Sequence, residues 1–287
     1  MTIETGIELR NHCSYRTGGK AEFYAAVKTD IDLAEALRFA ADRKLEITVL
    51  GGGYNVLISD RGVKGLVIDT TGLNSHTVIS GTEVYAGAGV IIDELAGKTA
   101  EIGLCGMEEM SGIPGCVGGA VKMNAGAFST EIKDIAVHVD MMDFDGRRYR
   151  VSNADAGFGY RKAEGLKGIV LGAMFGLKQG SAEDIKNKRA DILAKRAEKQ
   201  PLHLPSCGSV FKRPEGNYAG TLIEKCGLKG FSIGGAQVAE KHANFILNTG
   251  NATADDIYRL IKHVQDTVEK ETGVRLEREV RFIGFEE

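Results

Sequence analysis

Residues 111–128 read SGIPGCVGGAVKMNAGAF, a run with one charged side chain, Lys122, and almost nothing large. Glycine is favoured where φ must be positive or where a ligand must come within contact distance of the main chain, and the N–H groups of such loops bind phosphate oxygens. Turns alone do not need so many small residues in succession. The run therefore points to a backbone pressed against a nucleotide-type cofactor. A second cluster, GGGYN at residues 51–55, follows the apolar strand EITVL and fits the same description. Neither is a dinucleotide fingerprint. Gly51 and Gly53 are followed by Val56 where a third glycine belongs, Gly87 and Gly89 by Ile92, and neither pair opens a clean βαβ unit. The phosphate-loop pattern GxxxxGK[ST] is also absent.

Outward from these loops the chain alternates short strands with a few helices. Leu33, Ala36, Leu37 and Ala40 have the helix period. The segment 54–70 reads as strand and turn, so a first α/β unit ends near Thr71. EVYAGAGVIIDELAGKTAEIG then reads as strand, turn and helix; HVDMMDFDGRRYRV alternates about Asp145-Gly146 as a hairpin; GIVLGAMFGL is a last apolar strand. Strands outnumber helices here, which predicts an α+β build. Ser181 opens a charged helix with an S-x-x-D start and a thin stripe of Ile185, Ile192 and Leu193, ended by Pro201 and Pro205. Beyond it, Ile257, Leu260, Ile261, Val264 and Val268 mark an amphipathic helix from Thr253 to Glu271, stopped by Gly273. VRLEREVRF reads as a final alternating strand with Arg275, Glu277, Glu279 and Arg281 on one face. The predicted division is residues 1–71, 72–198 and 199–287, with the last strand free to return to the first part.

Thirty-six Lys and Arg stand against 39 Asp and Glu without a block of like charge, so neither nucleic acid nor a membrane surface is expected as a partner. The N-terminus has no basic region followed by an apolar one, and a cytoplasmic protein is expected. The five cysteines include no CxxC pair and no His stands at metal-ligand spacing; free thiols are expected and no metal site.

GGGYNVLISDRGVKGLVI, SGIPGCVGGAVKMNAGAF, FGYRKA, CGSVFKRPEGNYAGTLIEKCGLKG, HANFILNTGNATADDIYRLI and LEREVRFIG occur in this order. Together they resemble the UDP-N-acetylenolpyruvoylglucosamine reductases, over nearly the whole chain from YRTGGKAEF onward. The resemblance implies a vanillyl-alcohol-oxidase-type (PCMH-type) FAD-binding fold of two subdomains, with a C-terminal α+β substrate domain. It implies FAD as cofactor, NADPH as reductant and UDP-N-acetylglucosamine enolpyruvate as substrate, acted on by a monomer. Gly51, Gly52, Gly53, Tyr54, Asn55 and Val56 would contact FAD. So would Ser111, Gly112, Ile113, Pro114, Gly115, Gly118, Gly119 and Ala120, followed by Asn124, Ala125 and Gly126. Tyr54 departs from the small residue usual at its position. The spacing between Lys162 and Gly180 leaves little room for the inserted tyrosine loop of longer members, which implies the short form.

The family chemistry implies three catalytic residues. Ser209 in CGSVF matches the proton donor, Arg161 in FGYR the arginine that polarises the substrate carboxylate, and Glu279 in REVRF the carboxylate that helps stabilise the enol. The strand pattern by itself does not choose between Glu277 and Glu279; the resemblance selects Glu279. Lys212 and Arg213 supply charge suited to a diphosphate, and Tyr160 and Asn244 complete the expected substrate contacts. The alternatives are a flavin oxidase or dehydrogenase of the same fold, against which the ordered set Arg161, Ser209 and Glu279 argues, and a nucleotide-binding module without turnover.

Overall fold

The computed structural model describes residues 1–286, which divide into two compact units, each assembled from separate stretches of chain. The first comprises Met1–Glu4, Phe23–Gly52 and Gly65–Arg196; the second comprises Thr5–Glu22, Gly53–Lys64 and Ala197–Glu287.

In the first unit Ile47–Leu50 lies parallel to residues 66–69 of the strand Val63–Asp69, with Ile47 opposite Leu66 and Leu50 opposite Asp69. The helix Asp30–Arg43 buries Leu33, Ala36, Leu37 and Ala40 in the same core, the four positions that set its period. Thr29 caps it reciprocally with Asp32. A five-stranded antiparallel sheet follows, in the order Arg148–Ser152, Ala136–Met142, Ile169–Gly176, Glu83–Gly87, Thr77–Ser80. Ile169–Gly176 is central and almost wholly buried, which explains its continuous apolar sequence. The predicted hairpin closes where Met142 faces Arg148; the Asp143 carboxylate accepts from the Asp145 and Arg147 amides, and Gly146 takes φ +82°. Short helices Ile92–Glu101 and Val117–Lys122 add Ile92, Leu95, Val117 and Val121 to the core.

The second unit has a three-stranded antiparallel sheet, Ser232–Ile233, Ala236–Val238 and Ile246–Asn248. The helix Ala254–Thr272 buries Ile257, Leu260, Ile261, Val264 and Val268. Each such side chain contributes about 2 kcal/mol. Thr253 and Asp256 form its capping box, Gly273 ends it at φ +72°, and the Asp60 carboxylate accepts from the Ala254 and Asp255 amides at 3.0 and 2.9 Å.

The final segment departs from the expected continuous strand. Only Arg281–Ile283 is strand, parallel to Val56–Ile58, with an isolated bridge of Arg278 to Phe211 before it. The Glu279 and Val280 amides both donate to the Val210 carbonyl, at 2.8 and 3.4 Å, a bulge that interrupts regular pairing. The Gln265 side chain takes the Leu276 carbonyl at 2.7 Å, removing that residue from any ladder.

Candidate active site

The segment Ser209-Val210-Phe211 is the spine of the predicted chemistry in the second unit. On one side Ser209 bridges Phe245, and the Val210 amide donates to the Asn244 carbonyl at 2.8 Å. On the other, Phe211 bridges Arg278 and the Val210 carbonyl accepts from Glu279. Ser209 and Glu279 are thus brought together through a single residue. Gly208, at φ +72° with open space where a Cβ would stand, makes the turn into this segment. The Asn55 amide donates to the Glu279 carbonyl at 3.1 Å, and Arg281 N–H returns a bond to the Asn55 carbonyl at 3.0 Å, so the end of the first glycine cluster braces Glu279.

The two carboxylates left open by the sequence differ in setting. Glu277 is 72% exposed at its side chain and pairs with Lys212, whereas Glu279 is half-buried. Arg213 stacks over the Tyr218 ring at 4.1 Å from its centroid. Asn244 is buried, and its carboxamide closes on the main chain of Phe211. The Cys207 thiol is buried against Ser14 Oγ at 3.1 Å and the Val56 carbonyl at 3.1 Å; burial pushes its pKa up to about 12, so it is no nucleophile at neutral pH.

Arg161 belongs to the first unit. It occupies the tip of the hairpin formed by Phe158–Gly159 and Lys162–Ala163, at φ +57°, with its guanidinium over Tyr160 and 3.5 Å from the Gly126 carbonyl. That backbone conformation is uncommon for a side chain other than Gly or Asn, and such outliers concentrate at functional sites.

The glycine segment is held from both ends. Gly112 N–H donates to Asp93 at 2.8 Å, and Arg189 grips the same carboxylate oxygen at 2.7 Å. The Ser129 amide and hydroxyl donate to Glu109 at 2.7 and 2.8 Å, and Lys188 pairs with Glu109 at 3.0 Å. Burial opposes ionisation of Glu109, but Lys188 and Ser129 outweigh it and hold the carboxyl at about 2. These anchors lie outside the expected set; no local spacing reveals Asp93, whose partner Arg189 is 96 residues away. The glycines play different parts. A Cβ at Gly53 would meet the His12 carbonyl at 2.2 Å, so the fold itself requires that glycine, while Gly119 faces open space. Val117 and Gly118 N–H donate to the Val90 and Ala88 carbonyls, which fixes the first turn of the short helix. Asn124 is fully buried at φ +42°; its amide donates to Glu131 and the Gly159 carbonyl and its oxygen accepts from Lys133 N–H.

FAD fits the glycine segment: Ser111 is fully buried with its hydroxyl unpartnered, and Gly119 leaves open space where a Cβ would stand. The FAD binding domain family matches residues 21–152, and the UDP-N-acetylenolpyruvoylglucosamine reductase C-terminal domain matches residues 200–283. A UDP-N-acetylenolpyruvoylglucosamine reductase from Caldanaerobacter subterraneus subsp. tengcongensis is 40% identical over 278 residues, covering 96% of this chain and 92% of its own. The chain belongs to the UDP-N-acetylenolpyruvoylglucosamine reductase family. A second reductase, from Agathobacter rectalis, is 43% identical over 96% of this chain and 92% of its own. The crystal structure of the reductase from Thermus caldophilus superposes with a TM-score of 0.85 at 34% identity over 99% of both chains. 6-Hydroxy-D-nicotine oxidase from Arthrobacter nicotinovorans shares the fold, with a TM-score of 0.52 at 20% identity over 92% of this chain and 58% of its own. The α+β, PCMH-type fold implied by the six motifs is therefore the fold observed. A member of this reductase family is an FAD-dependent oxidoreductase of peptidoglycan synthesis. Among the described residues no helix is long and apolar enough to cross a membrane, and no cluster of His, Cys, Asp and Glu could hold a metal ion.

Proposed function

We propose that the protein reduces UDP-N-acetylglucosamine enolpyruvate to UDP-N-acetylmuramate with NADPH as reductant. The observation that carries this reading is the main-chain link between the Ser209 segment and Glu279 at the Val210 carbonyl, in a chain similar to such reductases over 96% of its length. FAD, when bound, would supply the hydride-transfer chemistry that links NADPH oxidation to reduction of the enolpyruvyl group.

The chain's own residues manage charge and the proton. Negative charge develops on the substrate carboxylate as C3 receives hydride, and the Arg161 guanidinium, presented at a hairpin tip, meets it with two parallel N–H donors. Ser209 Oγ gives its proton to C2 and completes the lactyl ether. A serine hydroxyl is a weak acid, so its placement by the Val210 hydrogen bonds matters more than its intrinsic acidity. Glu279, held by Asn55, helps stabilise the enol form. Lys212 and Arg213, which follow closely on Ser209 in the chain, attract the diphosphate. Gly51, Gly52, Ser111 and Gly119 would hold the cofactor.

Anaerobic visible spectroscopy tests the reading. The yellow holoprotein should bleach with NADPH and recover its colour when UDP-N-acetylglucosamine enolpyruvate is added. Bleaching without recovery would leave the flavin chemistry in place and overturn the substrate.

A further inference from the structure

Asn244 stands in the expected set as a substrate contact, yet both ends of its buried carboxamide are engaged by the main chain of Phe211. Phe211 N–H donates to its Oδ1 at 3.0 Å, and its Nδ2 donates to the Phe211 carbonyl at 2.9 Å. Its own carbonyl accepts from Val210 N–H at 2.8 Å, while Ser209 bridges the next residue, Phe245. The carboxamide thus imitates a neighbouring strand where the regular ladder stops. It fixes both peptide groups of Phe211, two residues from Ser209. Asn244 is buried, so water cannot substitute for either bond.

We propose that Asn244 is a positioning residue for the proton transfer: it sets the register of the Ser209 segment between Phe245 and Glu279 and does not bind the substrate. The inference rests on Ser209 being the donor. A donor that must meet one carbon of the substrate is sensitive to small displacements, and a shift of about 1 Å can cost on the order of 100-fold. Both peptide faces of Phe211 must be bonded to hold the segment flat, because Glu279 pulls on the same strand from the opposite side through Val210.

Asn244→Asp is the discriminating variant. It keeps the acceptor for Phe211 N–H but, when ionised, opposes the Phe211 carbonyl with a second oxygen. Facing that carbonyl in a buried site raises the new carboxyl's pKa, and protonation on acidification restores a donor. The ionisable neighbours are His242 on its own turn and, across the Ser209 segment, Glu277, Arg278 and Glu279 with Lys212; the helix Ala219–Lys225 presents Gly220 there. All are present in the wild type, whose pH profile serves as the control. Asn244→Asp should retain its flavin and bleach with NADPH within about twofold of wild type. Its reoxidation by UDP-N-acetylglucosamine enolpyruvate should fall by on the order of 10- to 100-fold near pH 8 and recover relative to wild type near pH 5.5. Equal loss in both half-reactions, or reoxidation at the wild-type rate and pH profile, overturns the assignment. A wild type that is not reoxidised by the sugar overturns the reading of Ser209 itself. Should the variant fail to fold, amide exchange in the wild-type holoenzyme decides: Phe211 N–H should exchange as slowly as Val210 N–H, and exchange at the rate of an open loop sinks the clamp.

Discussion

Ser209 and Glu279 meet at one hydrogen-bonded residue, Val210, and the roles proposed for both fall in the second half-reaction, where kinetics can test them. Ser209→Ala should leave bleaching by NADPH nearly intact and slow recovery by the enolpyruvyl sugar by on the order of 100-fold or more, the usual loss when a positioned proton donor is removed. Stopped-flow traces of the two half-reactions check this, and a matching loss in both would assign Ser209 to binding. Glu279→Gln should resemble Ser209→Ala. Glu277→Gln should be mild, because that side chain is 72% exposed and paired to Lys212 at the surface. A reversed ranking of the two variants would move the catalytic role two positions along the chain. The sequence placed both glutamates on one face of a strand; only burial and the Val210 bonds separate them.

The helices and the hairpin were legible because their signals are local. The helix Ala254–Thr272 lies within one residue of the expected Thr253–Glu271 and stops at Gly273 as expected, and Asp145-Gly146 closes its hairpin. The final strand was overread because alternation cannot register a bulge whose cause, the Val210 carbonyl, lies 69 and 70 residues upstream of the Glu279 and Val280 amides. Glycine clustering likewise located the loops without separating Gly53, which the His12 carbonyl requires, from Gly119, which leaves a surface bare. The anchors of the glycine segment are visible only in three dimensions, and Glu109 makes their energetic weight testable. Its folded pKa of about 2 lies below the ordinary 4.5, so its stabilisation is complete above about pH 4.5 and is lost as pH falls toward 2. The difference amounts to on the order of 3 kcal/mol at neutral pH. Glu109→Gln should lower the unfolding free energy by a similar amount at pH 7 and by little at pH 2, as measured by urea titration at both pH values. Equal losses at the two pH values would mean that packing, not charge, ties Glu109 to Ser129 and Lys188.

At the scale of the whole chain, the polypeptide passes between the two units at residues 4/5, 22/23, 52/53, 64/65 and 196/197. The C-terminal family match at residues 200–283 is contiguous, but the unit that contains it is not. Arg281–Ile283 pairs with Val56–Ile58, Ser59 N–H donates to the Ile283 carbonyl, and Asp60 caps the helix Ala254–Thr272. The buried Asn248 amide donates to the Tyr15 carbonyl at 2.8 Å. A fragment of residues 197–287 would forfeit all of these at once. Leaving a buried polar group without its partner costs about 1–3 kcal/mol, and several such losses are comparable with the roughly 5–15 kcal/mol that stabilises a typical domain. The fragment should therefore show no cooperative thermal transition by circular dichroism and poor amide dispersion by NMR. The full-length chain with Asp60→Ala alone should still melt cooperatively, at a lower temperature, because it loses one helix cap worth about 1 kcal/mol. A sharp melt from the isolated fragment would show that the segments around Tyr15 and Val56 are dispensable to the fold of the C-terminal region, and that Glu279 keeps its place without Asn55.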